Sequence, residues 1–97
     1  MQYEWDEAKN LANQRKHEVS FEIACKIFDG PIFSAVDSRR DYGEVRTLSI
    51  GKAEGLLVLA VVHTDRFGNR RIISARRANR IERQSYEQAV ERAIERR

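Results

Sequence analysis

The chain has 97 residues, 18 Lys+Arg against 15 Asp+Glu, 41% hydrophobic and 34% charged side chains, and one cysteine. That length fits one domain spanning residues 1–97 and excludes two cores, a single Cys25 excludes an internal disulfide, and apolar residues in periodic blocks argue against disorder. The charge is polarised: residues 1–65 carry 8 basic and 11 acidic side chains, while 66–97 carry 10 basic and 4 acidic, which suits a polyanion such as nucleic acid as well as a solvated C-terminal helix.

Asp6 is placed to cap a first helix whose Ala8, Leu11 and Ala12 form an apolar stripe beside Trp5, ending near Lys16-His17. Ser20 reads as the cap of a second helix with Phe21, Ala24, Cys25 and Phe28 on one face, and Val19 before it as a staple. Asp29-Gly30-Pro31 stops that helix, with Gly30 expected as a left-handed cap. Beyond Pro31 the period becomes strand-like. Ile32 to Val36 is a first strand, Val45 to Lys52 a second, Leu56 to Thr64 a third, apolar enough to be covered on both faces, and Arg71 to Arg76 a fourth. Connections this short make an antiparallel meander. Asn79-Arg80-Ile81-Glu82 is a capping box opening a C-terminal helix, with Ile81, Ser85, Ala89, Val90, Ala93 and Ile94 on its inner side. The expectation is an α+β domain: two N-terminal helices, a four-stranded antiparallel meander, one or two C-terminal helices, and the helices on one face of the sheet.

The longest apolar run, Leu56 to Val62, falls far short of the ~20 residues that span a bilayer, and Met1 to Asp6 lacks the basic and apolar regions of a signal peptide. A cytoplasmic protein without a membrane partner is expected. His17 and His63 are far apart with no carboxylate cluster beside either, so no metal site is expected, and with no glycine-rich phosphate loop, no cofactor. Cys25 reads as a packed thiol. What remains is a set of Arg, Lys, His, Glu and Tyr near element ends. Metal-free RNA cleavage needs these types: a base for the 2′-hydroxyl, a cation for the charge building on phosphorus, and an acid for the 5′-oxygen.

The order and spacing of Tyr3-Glu4-Trp5-Asp6, Lys9-Asn10, Asn13, Lys16-His17, Val19-Ser20-Phe21-Glu22, Ala24 and Phe28 resemble the opening of BrnT-type toxins. Tyr42-Gly43-Glu44, Arg46, Gly51, Thr64-Asp65-Arg66, Arg71-Ile72-Ile73-Ser74-Ala75-Arg76, Ala78, Glu82 and Tyr86 continue the match over nearly the whole chain. The resemblance implies a type II toxin of RelE-like fold that cleaves RNA and arrests translation. It also implies neutralisation by a ribbon-helix-helix antitoxin, with operator DNA bound only through the antitoxin complex.

Each candidate has a structural reading beside the functional one. Arg76 can pair with Glu82 or Glu44, or meet a phosphate at the strand end. Arg46 lies on a largely apolar face and must reach the rim or a partner. Arg66 is a loop residue, Glu82 the capping-box acid, and Tyr86 a core residue or a base-stacking phenol. His17 is a loop imidazole suited to a general base. Arg76, Arg46, Arg66, Glu82, Tyr86 and His17 form the candidate catalytic set, and Lys16, Arg66, Arg71, Arg77 and Arg80 the candidate RNA contacts. The alternative is a nucleic-acid-binding regulator or co-repressor subunit without chemistry. An uncovered sheet edge and the Ile94 end of the last helix are where two copies would meet as a homodimer.

Overall fold

The computed structural model describes residues 1–38 and 41–95. Strand β1 (Gln2–Glu4) precedes helix α1 (Glu7–His17), the single turn α2 (Phe21–Ala24) and a 3-10 segment, Cys25–Asp29. Strands β2 (Ile32–Val36), β3 (Thr47–Lys52), β4 (Val58–Arg66) and β5 (Asn69–Arg77) follow, and helix α3 (Arg80–Glu95) closes the chain. The expected meander is present, but the sheet has five strands in the order β1-β5-β4-β3-β2, with β1 parallel to β5. Three residues ahead of Asp6 are too few for a strand pattern to show, which is why the sequence did not reveal β1.

The helices do not share one face. Leu59 and Val61 point to Phe21, Ala24 and Ile27 on the α1/α2 side, whereas Val58 and Ala60 point to Tyr86 and Ala78 on the α3 side. Strict alternation along a continuously apolar strand therefore gives this single domain a hydrophobic cluster on each face of one sheet, where its length suggests one core. This corrects the one-face arrangement and agrees with the apolar character of β4. A bulge between Val62 and His63 lets Ile72 and Ala75, three residues apart, both reach the α1/α2 core.

The caps form as the sequence suggests. Asp6 accepts from the Ala8 and Lys9 amides at 2.9 and 3.3 Å, Ser20 from the Ile23 amide at 3.2 Å, and Asn79 and Glu82 bond each other's amides at 2.8 and 2.9 Å. Other expectations change. Helix α1 turns Asn10 and Asn13 inward and leaves Leu11 exposed, because these amides satisfy backbone groups of the next segment. Asn10 Oδ1 accepts from the Phe21 amide at 2.9 Å, and Asn13 donates to the carbonyls of Val19 and Ala75, both at 2.8 Å, while accepting from the Ala75 amide at 3.2 Å. The second helix tightens to 3-10 after one turn, and Gly30 has φ −129°, so it is extended rather than left-handed. The tightening drives Ile27 against Gly51, where an added Cβ would stand 3.0 Å from Ile27 Cβ. In α3 Tyr86 faces the core and Ile81 is exposed.

The β4–β5 turn is a two-residue connection, Phe67-Gly68, with φ +54° and +78°. Two positive φ values define the mirror-image turn that matches strand twist, a geometry favouring Asn in the first position. Phe67 is 98% exposed and contributes no packing to offset its left-handed backbone. Phe67→Asn should raise stability by about 1 kcal/mol in denaturant unfolding.

Candidate active site

The α3 helix packs against β2 and β3. One end of that sheet face stays open, and the row Ala35, Leu48, Val62 and Ser74, paired across β2, β3, β4 and β5, floors a cleft of about 590 Å³ with Lys16, His17, Asp37, Arg76 and Glu82 on its walls. Lys16 and His17 come from the last turn of α1, where Glu18 at φ +60° reverses the chain. Arg76 comes from the end of β5 and Glu82 from the first turn of α3.

Arg76 and Glu82 are joined at two points, Nη1 to Oε1 at 2.7 Å and Nη2 to Oε2 at 2.9 Å. Glu82 Oε1 also accepts the Asn79 amide, so one carboxylate fixes both the helix start and the guanidinium. Such a fork is stronger than a single ionic contact and holds the plane of the guanidinium. The Arg76 side chain keeps 38% of its surface exposed toward the cleft and Glu82 only 14%, so the cation is presented and the acid is retracted.

The loop after β2 forms the far wall. The Asp37 amide donates to Arg46 O at 2.7 Å, and Tyr42 Oη donates to Asp37 Oδ2 at 3.4 Å. Arg46 lays its guanidinium over the Tyr42 ring, 3.9 Å from the centroid, with Glu44 3.6 Å away. Its Nε is buried without a hydrogen-bond partner among the described residues.

Of the residues anticipated from sequence, Lys16, His17, Arg76 and Glu82 meet in one place and Arg46 stands beside Asp37 at its margin. Arg77 lines the adjoining surface. Arg66 and Arg71 lie at the opposite end of the β4–β5 hairpin, Arg66 facing Asn69 beside the turn and Arg71 within 4.0 Å of Glu4. Arg80 is exposed at the start of α3. Tyr86 is 4% exposed among Ile50, Val58, Ala60 and Ala78, so its phenol stands in the second core rather than the cleft. Asp37 is a site residue absent from the candidates read from sequence, and its place at the exit of β2 is the signal that points to it.

His63 anchors a polar chain on the other face of the sheet. Asp65 lies below its usual carboxylate range, chiefly through a two-point bond from Arg70, Nε and Nη2 both at 2.9 Å. His63 lies below its ordinary value because burial disfavours the charged ring, outweighing Asp65. A neutral ring with Nδ1 2.9 Å from that carboxylate donates from Nδ1, so Nε2 accepts from Ser49 Oγ at 2.7 Å and Ser34 donates to Ser49 at 2.7 Å. The Phe28 ring meets His63 edge-on at 5.1 Å, and Arg70 covers Phe28 at 4.2 Å. Ser49 is fully buried, so this Ser–His–Asp relay is structural. Burial also pushes the half-buried Cys25 thiol up to about 11, away from nucleophilic use. Among the described residues no three or more His, Cys, Asp or Glu side chains gather to hold a metal, and no helix is long and apolar enough to cross a membrane.

Residues 5–82 match the family model for the ribonuclease toxin BrnT of type II toxin–antitoxin systems. The chain belongs to the BrnT family. The 1.1 Å crystal structure of the Brucella abortus ribonuclease toxin BrnT is similar to it, with a TM-score of 0.61, 25% identity, and coverage of 82% of this chain and 99% of that one. No curated protein matches the chain. Membership makes this BrnT-family protein an RNA-cleaving toxin with an antitoxin partner.

The His63 chain makes stability pH-dependent. His63 has a lowered folded-state value, so the unfolded chain takes up a proton near 6.5 that the folded one refuses, and stability falls as pH drops from about 7 toward 5. The depressed Asp65 adds a further loss only at lower pH, below its ordinary 3.8. The unfolding free energy from denaturant titration should fall across the first window by at most about 1.4 kcal/mol per pH unit, and His63→Gln should flatten that slope while lowering stability overall.

Proposed function

We propose that this BrnT-family protein is a metal-independent endoribonuclease whose catalytic groups are those of the cleft, with Arg76 as the principal stabiliser of transition-state charge. The observation that carries this reading is the Arg76–Glu82 fork: a guanidinium oriented in advance and exposed on the side facing Lys16 and His17. A donor already in place undergoes no reorganisation as charge develops, which is where the largest rate effects arise.

The steps follow from the placement. A 2′-hydroxyl held over the cleft loses its proton to the His17 imidazole as its oxygen attacks the adjacent phosphorus. Arg76 and Lys16 hold the non-bridging oxygens as negative charge builds. The bond to the 5′-oxygen breaks and Lys16 delivers a proton to that oxygen, leaving a 2′,3′-cyclic phosphate and a 5′-hydroxyl. Glu82 acts through Arg76 as a positioning residue, since its oxygens are engaged by the guanidinium and the Asn79 amide. Arg46, stacked on Tyr42 with its backbone carbonyl bonded to the Asp37 amide, supports the far wall of the cleft. Cleavage of this kind in the cell arrests translation. A ribbon-helix-helix antitoxin neutralises the enzyme, and operator DNA is bound only through that complex.

Pure protein incubated with RNA in excess EDTA should yield fragments with cyclic phosphate and 5′-hydroxyl ends. Arg76→Lys, which keeps the charge and loses the two-point geometry, should slow cleavage by ~100-fold. RNA left intact in EDTA and cut on adding Mg²⁺ would contradict the metal-free chemistry. Near-wild-type cleavage by Arg76→Lys would contradict the role given to the fork.

A further inference from the structure

The cleft opens at one end onto a shallower concavity of about 390 Å³ walled by Arg15, Lys16, His17, Glu18, Arg76 and Arg77. Lys16, His17 and Arg76 line both spaces. They form a threshold, with the cleft on one side and a ledge carrying Arg15 and Arg77 on the other. Four of the six ledge residues are Lys or Arg and one is acidic. Basic residues in the last turn of α1 offset the negative end of the helix dipole, which accounts for Arg15 and Lys16. It does not account for Arg77, which reaches the same hollow from β5 and adds like-charge repulsion. Among the described residues neither Arg15 nor Arg77 has an ion-pair partner, whereas Arg46, Arg70, Arg71 and Arg76 each face a carboxylate.

Unpaired guanidiniums converging from two elements on a concave surface form a site for an anion that arrives from outside. Its nature follows from the threshold. If the scissile phosphate lies against Lys16, His17 and Arg76, the RNA strand leaving the cleft must carry its next phosphate over Arg15 and Arg77. We infer that the ledge is a second subsite, which binds the phosphodiester neighbouring the scissile one through Arg15 and Arg77 and thereby fixes the strand's register in the cleft; the inference rests on the ribonuclease reading above. Glu18 opposes this binding. It holds the left-handed position that ends α1 and is the ledge's one carboxylate.

The test uses a short RNA in which one 2′-deoxynucleotide blocks cleavage, and the same RNA with the phosphate on either side of the scissile one replaced in turn by an uncharged methylphosphonate. Wild-type affinity should fall by about 10-fold for one of the two replacements. The double variant Arg15→Ala/Arg77→Ala should bind the unmodified RNA about 10-fold more weakly and lose its sensitivity to that replacement, and on cleavable RNA the loss should appear in KM rather than kcat. Both arginines sit at the surface, so truncation leaves no cavity. Glu18→Asn removes the opposing charge and suits a left-handed backbone, and it should tighten RNA binding by a few-fold. A double variant as sensitive to the methylphosphonate as wild type, or Glu18→Asn with unchanged affinity, would overturn the subsite. Wild-type protein that cuts RNA yet ignores both replacements overturns the ledge alone, and wild-type protein that neither binds nor cuts RNA overturns the ribonuclease reading and the ledge together.

Discussion

The Asn13 side chain is the contact on which the geometry of this molecule turns. Its amide bridges Val19 O, Ala75 O and the Ala75 amide, and so binds helix α1, the start of α2 and strand β5 at one buried point. Removing it would leave three backbone groups without partners in a dry interior, each costing roughly 1–3 kcal/mol. The same point sets the site. Lys16 and His17 follow Asn13 by one helical turn, and Arg76 follows Ala75 directly, so fixing Asn13 to Ala75 brings the three cleft residues into register. The ledge inherits this placement, because Arg15 and Arg77 flank the same junction.

The second constraint is unequal cover. A sheet whose central strand is apolar on both faces must be enclosed on both. The α1/α2 side closes fully around Leu59, Val61 and Ile72, but on the opposite face α3 covers Ile50, Val58 and Ala60 and leaves the row Ala35, Leu48, Val62 and Ser74 open. The surface left open is the cleft floor. Closing one wall falls to the Arg76–Glu82 fork, which ties the end of β5 to the beginning of α3, so helix capping and cation presentation share one carboxylate. The closed face can hold a buried His63 because Asp65, Arg70 and Ser49 supply a partner for each ring nitrogen.

Much of this was legible in the chain. Asp6, Ser20 and Asn79 announce three helix starts through the local chemistry of caps, and β2 has the limits that its alternation after Pro31 suggests. Lys16, His17, Arg76 and Glu82 were legible because they sit at element ends, where functional side chains have access. What escaped depends on partners remote in sequence. The inward face of α1 is polar, and an amide buried against a strand carbonyl 62 residues away leaves no hydrophobic signature. β1 is a strand only because β5 offers it an edge. Tyr86 takes the core reading of its two and Ile81, expected inward, turns out, since α3 rolls to place the phenol over Ala60 and Ala78, and a helical stripe does not by itself settle such a roll.

The central claim is that the Asn13 amide assembles the cleft and does more than stabilise the fold. It is tested most directly by the cleavage rate per folded molecule of Asn13→Ser, measured at low temperature where circular dichroism shows both proteins fully folded. Release of α1 from Ala75 should displace Lys16 and His17 relative to Arg76 and lower that rate by ~10-fold or more. A fully folded Asn13→Ser protein that cleaves RNA at the wild-type rate would contradict the account.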